Sequence, residues 1–355
     1  MDHALDILGL TSRQLALEAS RRLPSGAGVA ERVYEAAFET GRLEPEAFGL
    51  SAASSRAWRE RFRVGLLEVA RVVEEEDEAG TTAKAVLRAE DGALIECVRI
   101  PMYGEGRSTL CVSSQVGCRM GCAFCETGRG GLVRNLSASE IVAEVLSARL
   151  LLGWNCRNIV FMGMGECLDN FDEVAAALAV ILDQRGLGYA QERITICTSG
   201  HVEGIGRLRA LGLKRLGLSV SLNSADDASR SELMPVNRRW GLAELARALA
   251  AYPQRRNFFL GVNYCLLPGI NDAREDAALV ARFCGQVGRC LVNLIPYNPG
   301  RSPIARRPTA EEEARFLAWL AEEGVEARAR AAKGGSIMAA CGQLGGPRAG
   351  EGSSS

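Results

Sequence analysis

Cys118-Arg-Met-Gly-Cys122-Ala-Phe-Cys125 sets three thiols at C-x3-C-x2-C spacing, just after a run at 109–113 that reads as a strand. Three thiolates on a strand-to-helix loop can hold three irons of a cubane [4Fe–4S] cluster, leaving the fourth iron open to a further ligand. A structural zinc site is the alternative reading. Zinc takes four ligands, usually in paired spacing, and the chain's 2 histidines are few for a hydrolytic zinc centre.

From this loop onward the chain alternates strands and helices. Hydrophobic patterning predicts strands at 158–163, 194–198, 216–222, 258–266 and 290–295, with helices at 141–152, 171–183, 242–251 and 311–323. Ser137-Ala-Ser-Glu140 has the form of a capping box ahead of the first of these helices. Repeated βα units imply a parallel sheet covered by helices. About six units predict an α/β fold, a partial (βα)6 barrel whose site lies at the carboxyl ends of its strands.

Upstream, residues 1–64 read as a small helical domain, with helices at 31–40 and 53–62 and Gly41 as a stop signal. Residues 65–104 read as a β-hairpin connector, because extended runs at 83–88 and 94–100 flank the turn dipeptide Asp91-Gly92. Residues 105–344 make up the barrel and a C-terminal segment. The Gly- and Ser-rich tail, 345–355, is expected to be disordered.

Lys plus Arg number 42 against 43 Asp plus Glu, a net charge of -1. That speaks against nucleic-acid binding driven by overall charge, although Arg56, Arg59, Arg61 and Arg63 form a local basic cluster. The 12 cysteines, without a secretion signal, point to metal or redox chemistry in preference to a disulfide scaffold. No apolar run is long enough to span a bilayer, so a cytoplasmic protein with no membrane partner is expected.

The wider context is more specific. Cys111-Val-Ser-Ser-Gln-Val-Gly-Cys118, Arg134-Asn-Leu-Ser, Met162-Gly-Met-Gly-Glu166, Asn293-Leu-Ile-Pro-Tyr-Asn-Pro299 and Ala339-Ala-Cys341-Gly-Gln-Leu344 occur in this order. Together with the cysteine loop they resemble the RlmN/Cfr family of radical S-adenosylmethionine (SAM) RNA adenine methyltransferases, over roughly 96–344.

The resemblance implies a [4Fe–4S] cluster on Cys118, Cys122 and Cys125, and two SAM molecules per turnover. One SAM would methylate Cys341. The other would be cleaved to a radical that takes a hydrogen from the S-methyl group, so that the carbon adds to an adenine. Cys111 would free the product through a transient disulfide with Cys341, and Glu96 would accept the ring proton. Thiolates are suited to both methyl capture and disulfide exchange. Gly165, Glu166, Cys197, Ser221, Leu222, Asn223 and Asn298 match the family's SAM contacts. The first-choice product is 2-methyladenosine in rRNA, with tRNA as a second substrate and a flavodoxin or ferredoxin as electron donor. C8 methylation, as in the Cfr branch, is the alternative. A radical SAM enzyme acting on a non-RNA substrate is the rival class.

The chain departs from the family pattern in several places. Cys167 stands where proline is usual, Cys197 where serine is, and Asn223 where histidine is common. Gly334-Gly-Ser-Ile-Met338 replaces a segment that is commonly acidic. The 102–107 connection is about two residues longer than usual, which bears on the placement of Glu96. Cys97, Cys156, Cys265, Cys284 and Cys290 are expected to pack as small hydrophobes.

Overall fold

The computed structural model describes residues 4–78, 80–102, 104, 106–253 and 259–345. The predicted tail beyond Gly345 and the first residue of the strand predicted at 258 lie outside them.

The N-terminal part holds α1 (Ser12–Arg22), α2 (Ala30–Thr40) and α3 (Ala52–Arg61). A short parallel pair, β1 (Leu5–Asp6) and β2 (Phe62–Arg63), ties its two ends together, where the sequence reads as helical only. Gly41 ends α2 at φ 71°, a left-handed C-cap. The basic cluster is partly neutralised here. Arg59 pairs with Glu46, and Arg63 with Asp6 and Glu90.

The predicted hairpin forms as β4 (Gly80–Arg88) and β5 (Leu94–Pro101), and it gains a third antiparallel strand, β3 (Glu68–Asp77). β5 then pairs antiparallel with β6 (Ser108–Cys111), so the hairpin continues the main sheet. A small ribbon of β7 (Gln115–Gly117) and β8 (Leu132–Asn135) frames the cysteine loop and its short α4 (Glu126–Arg129).

The βα series follows. It runs through α5 (Ala138–Leu152), β9 (Asn158–Phe161), α6 (Phe171–Ile181), β10 (Ile194–Thr198), α7 (Val202–Ala210) and β11 (Gly217–Ser221). Next come α8 (Asp227–Leu233), α9 (Leu242–Ala250), β12 (Leu260–Leu266), α10 (Arg274–Val287), β13 (Cys290–Pro296), α11 (Ala310–Glu322) and β14 (Ala327–Ala329). Ser137 and Glu140 cap α5 reciprocally, as their spacing predicts.

Among the described residues ten strands form one sheet, in the order β14-β13-β12-β11-β10-β9-β6-β5-β4-β3. β6, β9, β10, β11, β12 and β13 are the expected parallel strands, and β14 adds a short further one. The sheet stays open, as a partial barrel.

Its two faces differ in chemistry. Directly paired residues share a face. One face carries Ile159, Phe161, Ile196, Leu218, Val220, Val262, Val292 and Leu294, all buried in the core beneath the helices. The register runs the other face through Val98, Cys111, Val160 and Thr195, and then through Cys197, Ser219, Gly261, Asn263, Asn293 and Arg328. That face is small, polar and thiol-rich, and it forms the barrel interior.

Candidate active site

The cysteine loop lies across the carboxyl ends of the strands. Cys118 N–H donates to Gly131 O at 2.9 Å, and Ala123 N–H donates to Leu233 O of α8 at 2.9 Å. Cys118 and Cys122 are buried and Cys125 is half-buried. Burial first, then the charges of Glu166, Cys125 and Asp169, push the Cys118 thiol up to about 12. Burial, Cys125 and Cys118 push Cys122 well above its ordinary range. Ionising thiols held this high in one buried loop needs cationic compensation, which coordinated iron would provide. Among the described residues no three His, Cys, Asp or Glu side chains surround one metal-ion position. A cluster needs only three thiolates, one for each of three irons, whereas structural zinc takes four ligands.

The strand ends supply a rim. Gly165 has φ 101°, and a Cβ there would lie 2.6 Å from Gln115 Cβ, so only glycine fits. Glu166 is buried. Its Oε2 accepts from Ser199 N (2.7 Å) and Oγ (2.8 Å), and its Oε1 from Leu168 N (3.1 Å). A carboxylate oxygen takes two donors, so Oε1 keeps a place for one more. Cys197 faces the interior, while its carbonyl accepts from the Cys167 thiol at 3.1 Å. The two departures from the family pattern thus contact each other. Ser221 ends β11 and Leu222 follows it, and their carbonyls accept from Arg230.

Asn223 holds φ 57°, and its amide is spent on the fold. Its Oδ1 accepts from Cys265 N at 2.9 Å, and its Nδ2 meets the Met234 sulfur. Asn298 is buried, and its Oδ1 has no partner among the described residues. A buried acceptor left unpaired costs about 1–3 kcal/mol. An acceptor of this kind, together with a close-approach glycine and a carboxylate with room for a donor at another strand end, suits a bound amino-acid nucleoside such as SAM.

Residues 333–345 return over this interior. Lys84 Nζ donates to Met338 O (2.9 Å), Glu126 N–H to Gly342 O (2.8 Å), Gln343 Nε2 to Pro299 O (2.9 Å) and Gly345 N–H to Glu96 Oε2 (2.8 Å). Glu75 accepts from the Gly334 and Ser336 amides, each at 2.8 Å, so the segment that departs from the family's acidic pattern binds an acidic strand. Cys341 sits at the centre of this strap. It is solvent-accessible but crowded on every side, and the crowding raises its thiol pKa. A charge on Cys341 bears on Cys111, Cys197 and Cys265, and Cys125 and Arg330 bear on Cys341. The strap thus brings Cys341 within electrostatic reach of Cys111 and of the cysteine loop, although Cys341 and Cys111 are far apart in sequence.

Glu96 on β5 meets the strap through the Gly345 amide. It is 2% exposed and paired with Lys84 at 3.1 Å. Sequence reasoning missed Lys84. The available signal was a lysine inside the apolar run Ala83–Leu87, where both faces of the strand are buried. It also missed Arg230, for which no local signal exists.

The radical SAM superfamily profile matches residues 112–281. The chain is 38% identical over 345 residues to a probable dual-specificity RNA methyltransferase RlmN 1 from Protochlamydia amoebophila, covering 96% of this chain and 94% of that one. It is 43% identical over 270 residues to the dual-specificity RNA methyltransferase RlmN from Syntrophotalea carbinolica, covering 76% of this chain and 71% of the relative. The crystal structure of a radical SAM methyltransferase from Sphaerobacter thermophilus superposes with a TM-score of 0.84 at 34% identity, covering 96% of this chain and 99% of that one. The chain belongs to the RlmN/Cfr family of radical SAM RNA methyltransferases, enzymes that use a [4Fe–4S] cluster and SAM.

Proposed function

We propose that this protein methylates C2 of an adenine in RNA by way of an S-methylcysteine at Cys341. The names of its relatives support an RNA substrate, and rRNA with tRNA as a second substrate is the assignment we carry forward. The observation that carries the mechanism is the placement of Cys341, accessible on the strap, within electrostatic reach of Cys111 and Cys125.

Cys118, Cys122 and Cys125 would hold the cluster. Gly165, Glu166, Cys197, Ser221, Leu222, Asn223 and Asn298 would hold SAM, with Asn298 Oδ1 and Glu166 Oε1 as acceptors and Asn223 acting through its backbone. When bound, the cluster and SAM supply a carbon radical that abstracts hydrogen, driven by one electron from a flavodoxin or ferredoxin. Cys341 first loses its proton and takes a methyl group as a thioether. Its S-methyl carbon, after losing a hydrogen, bonds to the ring carbon; the adduct then gives up one electron, which the oxidised cluster would take back, and Glu96 accepts the proton that leaves that carbon, so that a closed-shell thioether remains. Cys111 then attacks the Cys341 sulfur. The S–S bond forms as the S–CH2 bond breaks, and the freed carbon takes up a proton to complete the methyl group.

Nucleoside mass spectrometry on rRNA and tRNA from cells with and without the gene tests this reading. Loss of 2-methyladenosine is expected. Loss of 8-methyladenosine would move the assignment to C8. No change in either, together with no product on bulk RNA from the reconstituted enzyme, would overturn the RNA assignment.

A further inference from the structure

Arg230 on α8 is completely buried. Its Nε donates to Leu222 O (3.0 Å), Nη1 to Asn237 Oδ1 (2.8 Å), and Nη2 to Ser199 O (2.7 Å) and Ser221 O (3.1 Å). Every one of these acceptors is neutral. No carboxylate pairs with the guanidinium among the described residues. Asp227, the carboxylate whose charge bears on it, is engaged by Asn237 Nδ2 (2.8 Å) and Leu242 N–H (3.0 Å). A guanidinium removed from water without a counterion costs several kcal/mol, so such a residue persists only where negative charge offsets it.

The charge that bears most on Arg230 is that of Cys122, on the cysteine loop. α8 docks directly on the loop through the Ala123–Leu233 hydrogen bond, and Cys122 packs with Leu233, Met234 and Val236. Of the charges bearing on Cys122, those of Cys125, Cys118 and Glu166 are negative and that of Arg230 is positive. A cubane on three thiolates carries net negative charge and gains more on reduction, and nearby charge is one of the factors that set its potential.

We propose that Arg230 is the buried countercharge of the iron–sulfur cluster, raising its reduction potential so that an external one-electron donor can load it, while its fork fixes the Ser199, Ser221 and Leu222 carbonyls at the rim. One electron passes from the donor to the cluster, and no bond to Arg230 forms or breaks. The proposal rests on the assignment of Cys118, Cys122 and Cys125 as cluster ligands.

The test is an EPR-monitored redox titration of the reconstituted full-length protein, its Arg230→Gln and Arg230→Lys variants, and iron and sulfide assays on each. Arg230→Gln with intact iron is expected to lose at least tenfold in the reduced-to-oxidised ratio at a fixed poise. That is a midpoint lower by about 59 mV for a one-electron couple. Arg230→Lys keeps the charge and is expected to titrate with the wild type. Coincident titrations of Arg230→Gln and the wild type overturn the proposal, and so does a lysine variant shifted as far as the glutamine one. If Arg230→Gln does not fold or hold iron, Asp227→Asn decides, because it removes the carboxylate charge that bears on the guanidinium and keeps Oδ1 for Asn237 and Leu242. A raised midpoint there supports the countercharge, and an unchanged one overturns it. A wild-type protein that takes up no iron overturns the ligand assignment, a failure distinct from an unshifted midpoint.

Discussion

Lys84 Nζ stands 3.1 Å from Glu96 Oε1, with both side chains buried. The strand register makes them neighbours. Val86 faces Glu96 and Val98 faces Lys84 across β4 and β5, so the two charges form a diagonal pair on one sheet face. The same two side chains hold Met338 O and Gly345 N–H, on either side of Cys341. One ion pair thus anchors both ends of the segment that carries Cys341.

Lys84→Met is expected to destabilise the protein by about 3–5 kcal/mol, because it leaves a buried carboxylate unpaired. Urea unfolding of the variant checks this. Lys84→Met combined with Glu96→Gln should recover part of the loss, since neither partner is then charged. A cost below about 1 kcal/mol for the single change would mean that water reaches the pair.

Cys111→Ala is expected to trap RNA on the enzyme. With no thiol to attack the Cys341 sulfur, the carbon–sulfur link persists as a covalent species on a denaturing gel. Cys341→Ala should give neither product nor adduct while still cleaving SAM. Normal turnover by Cys111→Ala would remove that residue from the mechanism.

Gly165→Ala is expected to weaken SAM binding more than tenfold. The φ of 101° and the 2.6 Å approach to Gln115 Cβ leave no room for a methyl group, so the rim must shift. Backbone strain of this kind costs on the order of 1–3 kcal/mol. Equilibrium dialysis with labelled SAM reads the loss, and unchanged affinity would place SAM away from this turn.

Glu144 on α5 is fully buried, and both of its oxygens face Ser113 N–H at 3.0 Å. Burial pushes its carboxyl well above the ordinary 4.5 of a glutamate, so it stays protonated in the fold after it has ionised in the unfolded chain. The folded state then binds more protons. The stability contribution is complete below pH 4.5 and is lost as pH rises toward the folded pKa, with a slope of about 1.4 kcal/mol per pH unit. Glu144→Gln keeps the acceptor for Ser113 and should flatten that slope. Urea midpoints between about pH 5.5 and 7.5 measure it, and parallel slopes for both proteins would show Glu144 ionised in the fold.

Local signals carried a large part of this molecule. The C-x3-C-x2-C loop, the Ser137–Glu140 capping box, the Asp91-Gly92 turn and the apolar periodicity of the βα units each act within a few residues, and each lies where its spacing predicts. β3 escaped such reading because it is an exposed edge strand rich in glutamate, and its pairing with β4 compensates for poor intrinsic strand preference.

The sequence by itself therefore determined the fold class, the cluster spacing and the family motifs. Tertiary structure alone decided which side chains meet. Lys84 and Met338 are 254 positions apart, and Glu96 and Gly345 are 249 apart. Arg230 reaches neutral carbonyls on two strand ends. Such contacts depend on strand register and on the return path of the C-terminal segment, and those are set by burial of the whole core.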